Sequence, residues 1–335
     1  MKIGTVDIGR DVLVIAEIGN NHEGDVERAA EMIARAAEAG AQAVKFQTIL
    51  PEELVAPDQE ARLAQLRRYA LSAENHVQLA DAGKRAGVMF MSTPFAIPAV
   101  EMLRPLVPAF KIASGDNDFH PLLRAVAATG KPILLSAGMA DLGEIKAAKA
   151  VIEGEWATGG HDPGLVILHC VSAYPTSPEE ANLSAIRSLA SLGCPVGYSD
   201  HTLGSLASVV AVGLGARVIE KHFTLSNTQS DFRDHKLSAD PTELKELVER
   251  VREANLLLGD GQKRLMPSER ATADAARRSL AAKHDLEPGH ILAAHDITWL
   301  RPGGGIAPGS ESAVLGRVMR RAMKAGSRIG MEDLE

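Results

Sequence analysis

Two histidines in this sequence stand at the ends of short apolar runs, where they could bind one metal ion together. His201 closes such a run within VGYSDHTLG (196–204), and His222 does so within VIEKHFTL (218–225). Neutral imidazole is a ligand for Mn, Zn, Fe or Co. Two imidazoles on neighbouring strands would leave coordination positions open for water and substrate oxygens, as a Lewis-acidic ion requires. The spacing alone leaves two interpretations open, a shared metal or two unrelated structural histidines.

Cationic and hydroxyl residues end other apolar runs. Lys45 and Gln47 are two residues apart in AQAVKFQT, so they share one face of a strand, and Lys111 lies in AFKIASGD. A buried lysine without a partner costs several kcal/mol or loses its proton, so we expect both lysines to need an anion, such as a phosphate or carboxylate ligand. The hydroxyl residues that end runs are Thr93, Ser114, Ser136, Ser172 and Ser199. Each of them either donates to phosphate or caps the following helix.

Glu17 is the candidate acid or base. It ends the apolar run VLVIAEIG (12–19), where it should be partly desolvated, and such a carboxyl group is suited to proton transfer. The structural alternative is a salt bridge to Lys45 or Lys111.

Eight apolar runs alternate with stretches of helical periodicity and must position these residues. The runs are 12–19, 41–48, 87–94, 109–116, 131–138, 164–172, 194–201 and 216–223. This alternation predicts an α/β fold, a (β/α)8 TIM barrel, whose active site lies at the carboxyl ends of the strands, where the polar residues gather. An open doubly wound sheet is the alternative, but no G-x-G-x-x-G follows the first run.

The pattern changes near residue 260. We expect a catalytic barrel over 1–262, a polar linker over 263–275, and a small, mostly β domain over 276–335. The opening KIGTVDIGRD has the pattern of a hairpin, which we expect to cap the bottom of the barrel.

Composition excludes several classes of protein. The 335 residues carry a net charge of −7, which does not favour binding to nucleic acid or to an anionic membrane. No apolar run reaches the roughly 18 residues of a membrane span, and no apolar leader opens the chain. Two cysteines, Cys170 and Cys194, predict no disulfide framework and a cytoplasmic location.

Taken together, these segments resemble the N-acetylneuraminate (sialic acid) synthase family. The segments that carry the resemblance are IAEIGNNHEGD, VKFQT, MSTPF, KIASGD, LSAGM, LHCVSAYPT, GYSDHTLG and EKHF. The tail RRSLAAKHDLEPGHILAAHDITWLRPGGGIAPG resembles the C-terminal antifreeze-like (SAF) domain of that family. The resemblance extends over nearly the whole chain, with its segments in order.

The resemblance implies a phosphoenolpyruvate-dependent condensation. The acceptor would be the open-chain aldehyde of an N-acetylated hexosamine such as N-acetylmannosamine, and the products a nine-carbon 2-keto sugar acid and phosphate. A divalent metal, Mn²⁺ or Mg²⁺, would be bound by His201 and His222, and Glu17 would handle a proton or position the attacking water. The positions that match phosphoenolpyruvate ligands are Lys45, Thr93, Lys111, Ser114 and Ser136, with Gln47 and Ser199 in the same mouth.

The resemblance also implies residues that contact the sugar. Tyr174 and Asp234 match sugar-contacting positions, and Arg301 matches an arginine that reaches the partner's sugar in a domain-swapped homodimer. Two departures bear on the acceptor: Asp116 stands where the family often has Glu, and Ser172 where some members have Asn.

The identity of the acceptor sugar therefore stays open. Legionaminic and pseudaminic acid synthases share most of these motifs, and an acceptor that is a sugar 6-phosphate is also compatible with them. A non-catalytic sugar-binding protein is the alternative from another class, but it gives the lysines and histidines no role.

Overall fold

The computed structural model describes all 335 residues and opens with a hairpin of β1 (Lys2–Ile3) and β2 (Val6–Asp7). Eight parallel strands follow: β3 (Leu13–Gly19), β4 (Ala43–Thr48), β5 (Met89–Pro94), β6 (Phe110–Ile112), β7 (Ile133–Ser136), β8 (Leu165–Cys170), β9 (Val196–Asp200) and β10 (Ala216–His222). They pair in the order β5-β4-β3-β10-β9-β8-β7-β6, and β5 lies beside β6 to close the cylinder. The predicted (β/α)8 barrel is confirmed.

Helices follow the strands and cover the outside of the barrel. Their bounds are α1 (Val26–Glu38), α2 (Pro51–Leu54), α3 (Glu60–Tyr69), α4 (Ala73–Ala86), α5 (Ile97–Leu103), α6 (His120–Ala127), α7 (Leu142–Gly159), α8 (Ala185–Ala190), α9 (Leu206–Gly213) and α10 (Pro241–Leu258). Several begin at side-chain caps; for example, Asp240 accepts from the amides of Thr242 and Glu243. None of the helices combines the length and hydropathy that a membrane crossing requires.

The interior of the barrel changes from apolar to polar along the strands. In β3, the inward residues Leu13 and Ile15 pack in an apolar cluster, and the next inward residue is Glu17. In β10, Val218 belongs to the same cluster, and Glu220 follows two residues later. Both strands therefore contribute to an apolar floor and deliver a polar group to the mouth.

The N-terminal hairpin completes this floor. Ile3, Val6 and Ile8 are buried in the cluster that contains the inward residues of the strands, among them Leu134 and Val166. The expectation that the opening segment caps the bottom of the barrel is confirmed.

The chain divides into two compact units, Met1–Gly259 and Asp260–Glu335. The second begins with a segment that includes α11 (Arg270–Ala276), which overlaps the predicted linker at 270–275, so part of that linker is helical. An antiparallel pair, β11 (Ser279–Ala282) and β12 (Ile297–Leu300), then covers a separate small apolar core.

Candidate active site at the mouth of the barrel

Two lysines and two glutamates form a buried charge cluster at the carboxyl ends of the strands. Lys45 Nζ lies 2.6 Å from Glu17 Oε2 and 3.7 Å from Glu220 Oε2, and Lys111 Nζ lies 3.8 Å from Glu220 Oε1. The formal charges of the four groups cancel. The lysines thus have the anionic partners that we expected, but the barrel itself supplies them, as carboxylates. The Glu17–Lys45 salt bridge, the structural alternative for Glu17, is present.

Glu220 is the residue of this cluster that sequence reasoning left without a role. It precedes His222 by two residues on β10, so the two share the inward face. Its backbone lies beside Ser199 of β9, whose hydroxyl donates to Glu220 Oε1 at 2.9 Å. The period of two in the sequence was the signal that could have assigned it to the site.

The two glutamates differ in their affinity for a proton. Burial raises the pKa of Glu17 to about 7, although the Lys45 ammonium opposes the rise. Burial would also raise the pKa of Glu220, but Lys111 and Lys45 outweigh it and lower this pKa to about 2. Glu220 therefore stays ionised, and Glu17 can exchange a proton near neutral pH.

Hydroxyl groups contact both lysines and share a cavity of about 300 Å³ with them. Lys45 donates to Thr93 Oγ1 at 3.1 Å, and Lys111 donates to Ser136 Oγ at 2.6 Å. Ser172 Oγ is buried with no hydrogen-bond partner in the protein. The predicted residues that line this cavity are Glu17, Lys45, Gln47, Thr93, Lys111, Ser114, Ser136, Ser172, Tyr174, Ser199, His201 and His222.

His201 and His222 lie side by side in the same cavity, with ring centroids 5.5 Å apart. His201 Nδ1 donates to the Val171 carbonyl at 2.7 Å, which leaves the lone pair on Nε2. His222 Nδ1 is buried without a partner, and burial lowers the pKa of His222 to about 3, so this ring is neutral. The Tyr174 ring packs 4.2 Å from His201 and 6.0 Å from His222.

Cys170, which the sequence analysis did not name as a site residue, lines the same cavity. Its Sγ lies 3.8 Å from His201 Nδ1. Burial alone would lower the pKa of His201, but hydrogen bonds with the Cys170 sulfur and the Val171 carbonyl help to raise it above its usual value.

Asp116 does not line the cavity. It lies in a 3-10 turn after β6, partly exposed, and its Oδ2 has no hydrogen-bond partner. Burial raises its pKa to about 6, and the charge of Asp118 adds to this rise.

Asp234 lines an adjoining cavity of about 900 Å³, which also contacts Gln47, Tyr174 and His222. Arg233 pairs with Asp234 at 2.9 Å, and its guanidinium lies 4.6 Å from the centroid of the Tyr174 ring. Arg301 belongs to the second unit, where it is exposed and precedes Pro302.

A buried ion pair on the outer face of the barrel sits next to both histidines in the chain. Lys221 Nζ lies 3.2 Å from Asp200 Oδ2, and both residues are fully buried. Asp200 also accepts from the amide and hydroxyl of Thr202, each at 2.8 Å. Because Asp200 precedes His201 and Lys221 precedes His222, this pair joins the two strand ends that hold the histidines.

Known proteins share this arrangement of sequence and fold. The NeuB family matches residues 32–263, and the SAF domain matches residues 277–335. The N,N'-diacetyllegionaminic acid synthase of Legionella pneumophila is 38% identical over 96% of this chain and 94% of that protein. A pseudaminic acid synthase of Campylobacter jejuni is 35% identical over 99% of each chain.

A solved structure extends the comparison to three dimensions. N-acetylneuraminic acid (sialic acid) synthetase from Leptospira borgpetersenii, in complex with citrate, superposes with a TM-score of 0.76 at 35% identity. The superposition covers 81% of this chain and 94% of that one. The resemblance read from the sequence is thus confirmed, and this chain is an enzyme that belongs to the NeuB family and carries a C-terminal SAF domain.

Proposed function

We propose that this enzyme condenses phosphoenolpyruvate with the open-chain aldehyde of an N-acetylated hexosamine, N-acetylmannosamine or a related acetamido sugar. The products are a nine-carbon 2-keto acid of the sialic acid type and phosphate. One observation carries the proposal: two buried ammonium groups with hydroxyl partners share a cavity with two adjacent imidazoles.

The lysines and hydroxyls suit the phosphate and carboxylate of phosphoenolpyruvate. Lys45 and Lys111 supply charge-assisted donors, and Thr93, Ser114 and Ser136 supply hydroxyls. Uptake of a proton by Glu17, with its pKa of about 7, leaves the charge cluster with one net positive charge. The cluster is neutral when Glu17 is ionised, and this is the form in which Glu17 can accept a proton.

The two histidines fit a divalent ion, Mn²⁺ or Mg²⁺. His201 has its Nε2 lone pair free, and the buried Nδ1 of His222 lacks a partner, as expected for ligands awaiting an ion. No group of three or more His, Cys, Asp or Glu side chains surrounds a common point, so these imidazoles would be its protein ligands. When bound, the ion polarises the aldehyde oxygen of the acceptor.

The chemistry joins C3 of phosphoenolpyruvate to the aldehyde carbon, while water adds at C2 and phosphate leaves with cleavage of its C–O bond. Ionised Glu17 accepts a proton from the attacking water, and ionised Glu220 holds both lysines in place around the phosphate. Gln47 and Tyr174, which line both cavities, orient the sugar.

The adjoining cavity of about 900 Å³ favours a second candidate acceptor, a sugar with two acetamido groups. According to the resemblance, legionaminic and pseudaminic acid synthases take different acetamido sugars, and the Legionella and Campylobacter relatives bear those names. A sugar 6-phosphate is the remaining variant.

The SAF domain supplies a cap in this proposal. Arg301 contacts the N-acetyl group of the sugar bound by the partner in a domain-swapped homodimer, and the cap excludes water that would hydrolyse intermediates. The barrel is then the catalytic domain, and the free thiols of Cys170 and Cys194 suit a reducing cytoplasm.

Phosphate release from phosphoenolpyruvate, measured with Mn²⁺ and a panel of acceptors, tests the proposal. The panel contains N-acetylmannosamine, its 6-phosphate and a 2,4-diacetamido hexose, and we expect release only when an accepted sugar is present. His222→Ala should abolish turnover and weaken metal binding, whereas His161→Ala, at an exposed position, should change neither. Absence of release with every acceptor would overturn the proposal in favour of a sugar-binding protein.

A further inference from the structure

Three histidines surround one buried carboxylate in the second unit. His284 Nε2 lies 3.0 Å and His295 Nε2 3.2 Å from Asp296 Oδ1, and His290 Nε2 lies 2.8 Å from Oδ2. Asp296 is fully buried. Three of the chain's 11 histidines thus meet at one side chain that has no part in the barrel chemistry.

The two carboxylate oxygens of Asp296 differ in their hydrogen bonding. Oδ2 accepts hydrogen bonds from His290 Nε2 and from the Ala293 amide, both at 2.8 Å. Oδ1 accepts none, although two imidazole nitrogens are in contact with it. Their N–H directions therefore do not point at this oxygen. A buried carboxylate oxygen without a donor is costly, so it calls for a partner that the protein does not provide.

The fold brings the cluster together through the β11–β12 pair. Ala282 at the end of β11 lies opposite Ile297 at the start of β12, and the Lys283 amide donates to the Asp296 carbonyl at 2.8 Å. His284 therefore emerges beside His295 and Asp296. The neighbouring Asp285 does not compete, because it pairs with Lys324 at 2.6 Å.

We propose that His284, His295 and Asp296 Oδ1 bind a divalent transition-metal ion, with His290 fixing the carboxylate from its other oxygen. With bonds of about 2.1 Å, ligand atoms 3.0 and 3.2 Å apart subtend roughly 90–100° at a shared ion, as neighbouring octahedral positions do. Two imidazoles and one carboxylate select Zn²⁺, Ni²⁺, Co²⁺ or Fe²⁺ rather than Mg²⁺ or Ca²⁺.

The ion completes the site by turning two exposed rings. The groups do not yet surround a common point, but the side chains of His284 and His295 are 51% and 77% exposed and free to rotate. Water occupies the remaining positions. The ion ties the turn after β11 to the turn before β12, so it stabilises the second unit by binding only its folded state.

Calorimetric titration with Zn²⁺ tests this site in the full chain, untagged and stripped of metal. The His222→Ala background removes the proposed catalytic ion site, so that one saturable equivalent is expected from the SAF unit. The double variant His284→Asn with His295→Asn, added to that background, should lose this equivalent and the accompanying rise in melting temperature. His161→Asn, also at an exposed histidine, is the matched control and should keep both.

His290→Gln supplies a graded test, because it loosens the carboxylate without removing a ligand. We expect zinc affinity to fall by about 10–100-fold. Equal zinc uptake by the double variant and its parent, or no saturable binding at millimolar Zn²⁺, would overturn the proposal. Neither result depends on turnover, so the test is independent of the proposed condensation.

Discussion

At the scale of single residues, the site works because two buried glutamates with similar neighbours hold different charges. Glu220 contacts both lysines, whereas Glu17 contacts only Lys45 within 4 Å. Two ammonium groups outweigh the cost of burial, and one does not. The cluster therefore contains one carboxylate that stays ionised beside both lysines and one that titrates near neutral pH.

Lys111→Met tests the anion site. Loss of one charge-assisted donor should raise the KM for phosphoenolpyruvate at least about tenfold, since such a bond contributes about 1.5–3 kcal/mol. The KM of the sugar should change little, because Lys111 lines only the inner cavity. Lys131→Met is the control, because Lys131 donates to the Val107 carbonyl away from the mouth. Equal increases in both constants would contradict the assignment.

Glu17→Gln tests the titrating carboxyl. Its pKa of about 7 means that the ionised form, which alone accepts a proton, increases as the pH rises through 7. We expect kcat/KM to rise over that range in the parent enzyme and to lose the inflection in Glu17→Gln. Glu23→Gln should keep it, because the pKa of Glu23 lies below its usual value. A parent profile that falls through pH 7 would instead make Glu17 an acid.

At the scale of elements, β9 and β10 matter most because each strand presents a histidine inward and an ion-pair partner outward. Asp200 and Lys221 clamp the strand ends on the helix side, where Ser208 of α9 also donates to Asp200 at 2.7 Å. The distance between the two imidazoles is thus set from outside the barrel.

Lys221→Met should lower the free energy of unfolding by about 3–5 kcal/mol, because it leaves Asp200 buried and unpaired. Urea denaturation measures this change. Lys149→Met removes a partly exposed pair with Glu153 and should cost less than about 1 kcal/mol. A similar small effect at Lys221 would show that this pair does not hold the strands.

The sequence predicted the strands well because each one combines a short apolar run with a polar end. Of the fifteen site residues named from the sequence, twelve line the inner cavity. Alternation along the strand placed Lys45 and Gln47 on one face, whereas Tyr174 was named from the resemblance alone. Alternation could not reveal that Glu220 lies between the lysines, because register between distant strands such as β3 and β10 depends on closure of the barrel. Asp234 follows β10 in an irregular segment with a 3-10 turn, where no periodicity locates a side chain.

At the scale of the whole molecule, the two compact units correspond to two family matches, and the proposed function requires both. The barrel holds the lysines and histidines, whereas Arg301 belongs to the SAF unit. If the units act across a dimer, one active site draws on two chains.

Arg301→Ala should raise the KM of the sugar far more than that of phosphoenolpyruvate. Mixing it with His222→Ala after reversible dissociation gives a sharper measurement. In a hybrid dimer, the intact barrel of the Arg301→Ala chain is capped by the intact SAF unit of the His222→Ala chain. About half of the dimers in an equal random mixture are hybrids with one such site each, so about one quarter of the normal sites should recover. Lys149→Met mixed with His222→Ala should keep about one half of the normal sites, which controls for activity lost during dissociation and reassociation. No recovery in the Arg301→Ala mixture would then exclude capping by the partner.

The N-terminal hairpin, which closes the bottom of the barrel, has a consequence for the kinetics. With Ile3, Val6 and Ile8 closing the bottom of the barrel, the inner cavity opens at the mouth. There it adjoins one wider cavity through Gln47, Tyr174 and His222, and another through Met139, Cys170 and Ser172. Ligands therefore reach the lysines through the mouth, past the cavities that flank it. If the enol phosphate binds at the lysines and the sugar in the outer cavity, as we propose, we expect compulsory-order kinetics in which the sugar binds second and the sugar acid leaves first.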